Sequence, residues 1–520
     1  MKIEDKFRLL LISFLLIIYG ILVTQKINLV TADLGRHIKN GELILQGDTL
    51  GAQKVLQTNL YSYTYPDYPF LNHHWGSGVI FYLIHRIFGF IGLSVFFTIL
   101  CLATFLLFFL IAEGNSCTEV ATVVSLFVIP VLTSRVEIRP EAFSYFLSGL
   151  FFFVLWSVKE KKLSEKFLFA LPILMILWVN LHIYFFIGLF LLGVFLFERS
   201  VSFFKEKKLL SNLSHLGYLS GILFLATSVS LVNPAGLKGF LYPFKIFGNY
   251  GYRLLENQTV WFLDKIIKYP SSLYFKIAFG LLAISWAYVF AFKRRNISFL
   301  SFIFSICFSY LGWTAVRNFS LFGFFALPAV AGNFKFKPKA QSEIRFFITS
   351  SLAVLIVFGL FILNSTYWVE RIKIGVGLKN GVDLAVEFFK KEQVRGPIFN
   401  NYDNGGYLVY YLFPKEKVFV DNRPEAYPRE FFQDVYIPMQ EQEDKWDQMD
   451  KKYEFNAIFF YRNDLTPWSQ TFLVSRISDP FWAPVYVDDY SIIFTKRNNL
   501  NKDLIKKFEL PKSLFSVTKG

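Results

Sequence analysis

The sequence predicts an α-helical polytopic membrane protein that ends in a small extracytoplasmic α/β domain. Three observations lead there. Of the 520 residues, 54% are hydrophobic and 64 are Phe, more apolar than the about 45–50% usual for a soluble domain. Eleven apolar runs of spanning length recur between polar loops. Finally, 22 Lys/Arg balance 22 Asp/Glu from residue 365 onward, which leaves 32 basic against 17 acidic residues before it. The basic excess therefore lies between apolar runs and reads as a topology signal rather than a nucleic-acid surface.

The runs fall at approximately 7–24, 89–112, 118–133, 141–158, 167–180, 183–198, 214–232, 271–292, 296–312, 317–333 and 345–364. The first, "FRLLLISFLLIIYGILV", is followed by no small-residue cleavage site and is expected to remain as an anchor. With Lys2, Lys6 and Arg8 in the cytoplasm, alternate loops carry "KEKKLSEK" (159–166), "KEKK" (205–208), "KRR" (293–295) and "KFKPK" (335–339). That distribution obeys the positive-inside rule and puts the C-terminal segment outside. Cys101, Cys117 and Cys307 lie in or beside apolar runs and read as small core residues, not as a disulfide framework.

Two domains follow. Residues 1–364 form the transmembrane part, with a first outer loop at 25–75. Residues 365–520 form the outer domain, where short apolar runs ("GPIFN", "KVFVD", "NAIFFY", "SIIFT") alternate with helical patterns ("GVDLAVEFFKKE", "EDKWDQMDKKY"), as in an α/β layer.

The outward loops collect the polar residues that membrane proteins otherwise avoid: Asp33, His37, His73, His74, Arg135, Glu137, Arg139, Glu141, Asn180, His182, Asn233, Arg317 and Asn318. One site at the outer face accounts for them economically. Asp33 and His37, spaced i, i+4, share a helix face; they can ligate a metal, act as a base and its partner, or simply stay wet at the interface. In "NHHW", His73 and His74 alternate in direction on regular backbone, so at most one of the two is expected to face a site. Arg135, Glu137, Arg139 and Glu141 crowd one short loop, either to bind phosphate through the planar guanidinium groups or to pair among themselves. Asn180 and His182 break an apolar stretch, as a polar elbow between two spans would. Asn233 and Pro234 end a span with turn chemistry. Arg317, at a span entrance, is a snorkelling anchor or a phosphate ligand.

Taken as an ordered set, these segments resemble the GT-C superfamily of polytopic glycosyltransferases, in its bacterial protein-mannosyltransferase-like and lipid A-modifying branch. The pattern comprises D-x-x-x-H-x-x-x-G (Asp33, His37, Gly41), Arg-Pro-Glu (Arg139, Pro140, Glu141), Trp-x-Asn-x-His (Trp178, Asn180, His182) and Asn-Pro-x-Gly (Asn233, Pro234, Gly236). In the outer domain, "NNYDNGG" (400–406) looks distantly like the Trp-Trp-Asp-Tyr-Gly region of oligosaccharyltransferase catalytic subunits, without the paired tryptophans. Asp403, Asp421 and Arg423 there either face an acceptor or stabilise turns.

The resemblance implies an enzyme of the cell membrane, N-terminus in the cytoplasm. It would transfer a hexosyl or pentosyl group, with inversion, from a polyprenyl-phosphate donor to a hydroxyl of a glycan, lipid or protein acceptor. Asp33 would be the base, with His37, His73 or His74 positioning it or a metal that Asp33 and His37 hold. Arg135, Arg139 and Arg317, or a divalent cation such as magnesium or manganese, would balance the donor phosphate; Asn180, His182 and the outer-domain residues would position substrates. The rival class is a lipid-linked sugar transporter or flippase without chemistry. It calls for mid-span ionisable residues and inverted repeats, and the sequence displays neither.

Overall fold

The computed structural model describes residues 2–46, 49–205, 209–246, 248–267, 269–293, 298–335 and 341–515. Parts of the basic loops at 205–208, 293–295 and 335–339 lie outside them. Among the described residues, each of the eleven apolar runs lies largely on helical backbone. Six described helices are long and apolar enough to cross a membrane: Ile3–Val23, Trp75–Asn115, Glu141–Lys159, Ile183–Val201, Pro270–Phe292 and Ser342–Leu363. This is a multi-pass membrane protein. The chain forms two compact units, each drawn from several stretches: residues 1–26, 94–240 and 254–376 in the first, and 27–93, 241–253 and 377–520 in the second. Trp75–Asn115 passes from one unit to the other and is broken at Gly89, whose φ of 61° lies where glycine alone is at ease.

The first unit is a helical bundle. Thr118–Leu132 packs against Phe319–Asn333, Pro270–Phe292 and Ser342–Leu363. Its interior is largely aromatic: Phe308 stacks on Phe325 with centroids 3.8 Å apart, and Phe275 on Phe319 at 4.4 Å. Ser342–Leu363 leaves Phe347, Leu355 and Phe358 exposed, as a lipid-facing helix must.

The second unit holds a four-stranded sheet in the order β1-β2-β4-β3: β1 (Ile398–Asn400), β2 (Ala457–Tyr461), β3 (Trp482–Val487) and β4 (Ser491–Lys496). β1 and β2 run parallel, with Ile398 opposite Ala457; β2–β4 and β3–β4 run antiparallel. Helix Glu443–Tyr453 begins with Glu443 and Asp444 and ends with Lys451 and Lys452, charges that suit its macrodipole. Its Trp446 meets Phe399 of β1 at 5.2 Å. Three of the four short apolar runs become strands. "KVFVD" does not: Val418 instead exchanges backbone hydrogen bonds with Tyr61 and Tyr63 of the first outer loop (3.1 Å each). The strand that takes its place in the sheet is β3, in "FWAPVYV".

Candidate active site

In the second unit, Asp33 occupies the N-cap position of helix Leu34–Leu45, and the His37 N–H donates to the Asp33 carbonyl at 3.1 Å. The i, i+4 spacing is therefore realised on one helical turn. The half-buried Asp33 carboxylate accepts a short hydrogen bond from the amide of Asn422, whose Oδ1 accepts from Arg36 Nε at 3.1 Å. His37 is buried, its ring edge-on to His74 at 5.6 Å and to Phe81 at 6.3 Å. The rings of His73 and His74 lie 3.8 Å apart, and His73 reaches Tyr242 at 5.1 Å. Both histidines thus join one imidazole cluster. The strand-like alternation does not apply, because they sit in an irregular turn just before Trp75.

Asp421 and Arg423 form a bidentate pair at 0% and 2% exposure, with Nε–Oδ1 2.7 Å and Nη2–Oδ2 2.5 Å. Arg423 also donates to Asn59 Oδ1 at 2.7 Å and lies over the Phe70 ring at 4.5 Å. Groups so enclosed cannot touch a solute; of the roles expected for them, positioning is the one this burial fits. Glu425, two residues on, is held above the usual carboxylate range, burial outweighing its own N–H, Arg36 and Arg423. Asp403 is half-buried at the entry to helix Gly405–Leu412, beside Tyr402, which stacks on Tyr252 at 4.3 Å.

In the first unit, the short 133–140 loop brings its arginines to three carboxylates. Arg135 bonds Glu141 (2.8 Å) and Glu256 (2.7 Å); Arg139 bonds Glu137 (2.7 Å) and Glu256 (2.9 Å); Arg317 bonds Glu141 (3.2 Å) and Asn257 (2.9 Å). Together with Glu141, Glu256 and Arg317, the loop forms an internally paired cluster of three guanidinium groups and three glutamates. Burial alone would raise the Glu256 carboxyl, but Arg135, Arg139 and Arg317 hold it well below the usual carboxylate range. Beside this cluster lies a small cleft lined by Arg135, Arg139 and Tyr145 together with the aromatic Tyr19, Phe97 and Phe324.

The Trp-x-Asn-x-His elbow is a buried relay. The Tyr184 N–H donates to His182 Nδ1 (3.4 Å), which leaves that nitrogen an acceptor, so the Ser144 hydroxyl donates to it (2.8 Å); Trp178 Nε1 in turn donates to Ser144 Oγ (2.7 Å). Asn180 donates to the carbonyls of Ile176 and Val232, both at 2.8 Å, which ties this elbow to the Asn233 span end. Two residues escaped the sequence reading. Glu256 lies in a loop between apolar runs with no motif around it, and Asn422 is a neutral residue between two conspicuous charges.

No family model and no curated protein matches the chain. Solved structures do. The oligosaccharyltransferase AglB of Archaeoglobus fulgidus, in complex with an inhibitory peptide and a dolichol-phosphate, aligns over 93% of this chain and 73% of its own, with TM-score 0.61 and 11% identity. The apo form of the Archaeoglobus fulgidus oligosaccharyltransferase aligns over 94% and 74%, with TM-score 0.56 and 10% identity. The chain has the GT-C fold. A third structure from the same organism, a complex with zinc and sulfate, aligns over 93% and 73% with TM-score 0.52 and 12% identity. In this chain, no group of three or more His, Cys, Asp or Glu side chains is placed to hold a metal among the described residues. Asp33 and His37 alone do not make a closed site.

Proposed function

We propose that the protein is an integral membrane glycosyltransferase that moves a sugar from a polyprenyl-phosphate donor to an acceptor hydroxyl at the outer face. The cleft beside the Arg135–Arg139 cluster carries this reading, because it offers what such a donor needs: an apolar wall for the prenyl chain and guanidinium N–H groups for the phosphate. Glu137, Glu141 and Glu256 fix the planes of the guanidinium groups that would meet the phosphate. The GT-C fold, shared with a protein solved with dolichol-phosphate, supports the same donor class.

In the reaction, the acceptor oxygen attacks the anomeric carbon and gives its proton to the Asp33 carboxylate. The carbon–oxygen bond to phosphate breaks, and the electron pair leaves with the polyprenyl phosphate. Attack opposite the leaving group inverts the anomeric centre. Positive charge from Arg135, Arg139 and Arg317 stabilises the departing phosphate. His37, His73 and His74 shape the surroundings of Asp33, and no step is routed through a cation. The acceptor is a glycan, a lipid or a protein.

Purified protein is supplied with polyprenyl-phosphate sugars and, separately, with nucleotide sugars. Release of polyprenyl phosphate from the first class is expected; turnover of nucleotide sugars alone overturns the proposal, as does transport of the lipid without bond cleavage. Asp33→Asn should slow transfer by about 10²–10⁴-fold, since an amide accepts no proton, with thermal unfolding nearly unchanged. Near-normal turnover in that variant places the base elsewhere, with Glu137 and Glu141 the next carboxylates to replace.

A further inference from the structure

We propose that Asn422 is a positioning residue for Asp33, its amide being locked by Arg36 so that the NH₂ group faces the carboxylate. The inference rests on the reading of Asp33 as the base. An amide left to itself can flip and present its oxygen to a carboxylate, which repels it. Here the flip is closed, because the Arg36 Nε–H, itself a donor, reaches Asn422 Oδ1 at 3.1 Å. Arg36 is 5% exposed and so has little freedom to leave.

The mounting on each side is rigid. Asp421 and Arg423 bracket Asn422 and are clamped to each other by two hydrogen bonds, while the Arg423 N–H donates to the Asp421 carbonyl at 2.8 Å. Helices Leu34–Leu45 and Gly405–Leu412 meet backbone to backbone: a Cβ added to Gly35 would lie 2.8 Å from the Gly406 carbonyl oxygen, and one added to Gly406 would lie 3.1 Å from Asn422 Nδ2. No side chain longer than hydrogen fits at Gly35 without displacing this contact. The helix that carries Asp33 and Arg36 and the turn that carries Asn422 are thereby held at fixed separation. A hydrogen bond to one carboxylate oxygen fixes the rotation of the Asp33 carboxylate about its own axis.

The experiment compares Asn422→Ala and Asn422→Asp with wild type, each measured as release of polyprenyl phosphate from the polyprenyl-phosphate sugar that the wild type turns over. Binding of polyprenyl phosphate counts folded sites. A packing role makes the isosteric Asp variant milder than the Ala truncation. A positioning role reverses that order, because a second carboxylate then faces the first. Expected is a fall in kcat of about 10–100-fold in Asn422→Ala, of the size that misplacing a reacting group produces, and at least as large a fall in Asn422→Asp. Donor binding should stay within about twofold. Asn422→Asp near wild-type turnover, or much milder than Asn422→Ala, overturns the inference. If Asp33→Asn is inactive while both Asn422 variants are normal, this inference alone fails; if Asp33→Asn is active, the assignment of Asp33 as base fails first.

Discussion

Asp421→Asn isolates the energetic role of the buried Asp421–Arg423 pair. The substitution keeps side-chain volume, so no cavity contributes. It removes the negative charge from a residue at 0% exposure and leaves the 2%-exposed Arg423 guanidinium uncompensated. Breaking one partner of a buried pair costs about 3–5 kcal/mol. One of the two hydrogen bonds, Nη2 to Oδ2 at 2.5 Å, is also replaced by an N–H facing an N–H. Stacking of Arg423 over Phe70 at 4.5 Å and Tyr61 at 5.3 Å remains and retains part of the loss. For a unit of this size each kcal/mol moves Tm by about 2–4 °C, so a drop of about 6–20 °C is expected. Thermal unfolding of the detergent-solubilised protein, followed by tryptophan fluorescence, measures the shift. The control is Asp421→Asn/Arg423→Met, which removes both charges and should be less destabilised than Asp421→Asn alone. A single variant that melts within about 2 °C of wild type would refute the argument that the pair stabilises this unit.

Glu256→Gln should destabilise the first unit, because three guanidinium groups then face two carboxylates. The folded pKa of Glu256 lies below its ordinary 4.5, so its contribution is fully present above about pH 4.5 and is lost as the pH falls through the folded value. The stability gap between wild type and variant should be level from pH 8 to 5 and shrink below that, as read by urea or thermal unfolding against pH; a gap that closes between pH 8 and 6 contradicts the assignment. Ser144→Ala strands the Trp178 Nε1–H and removes one of the donors to His182 Nδ1, at about 1–3 kcal/mol for the buried indole N–H left without a partner; an unchanged melting curve would show the relay carries no stability. A reporter fused after Gly520 should be active only outside the cytoplasm, and cytoplasmic activity would reverse the orientation proposed from the basic loops.

What the sequence determined by itself is local. A run of apolar residues needs no partner to declare itself, since a backbone in lipid must satisfy its own hydrogen bonds and does so as a helix; among the described residues the apolar runs are largely helical for that reason. The i, i+4 relation of Asp33 and His37 is likewise set by helical pitch, and "EDKWDQMDKKY" is helical from Glu443 to Tyr453 with its charges ordered along the dipole. What only the tertiary structure decided is which stretches meet. "KVFVD" has the pattern of a strand, but an edge of backbone accepts any extended partner, and the first outer loop, more than 350 residues earlier, takes it before the sheet can. The same long-range closure brings Asn422 to Asp33 and Glu256 to Arg135. Side-chain spacing specifies a face of one element and carries no information about the element across from it. Asp421 and Arg423 show the limit most clearly: in the sequence they are two exposed-looking charges in a turn, and only burial by Asn59, Tyr61 and Phe70 makes them a structural pair.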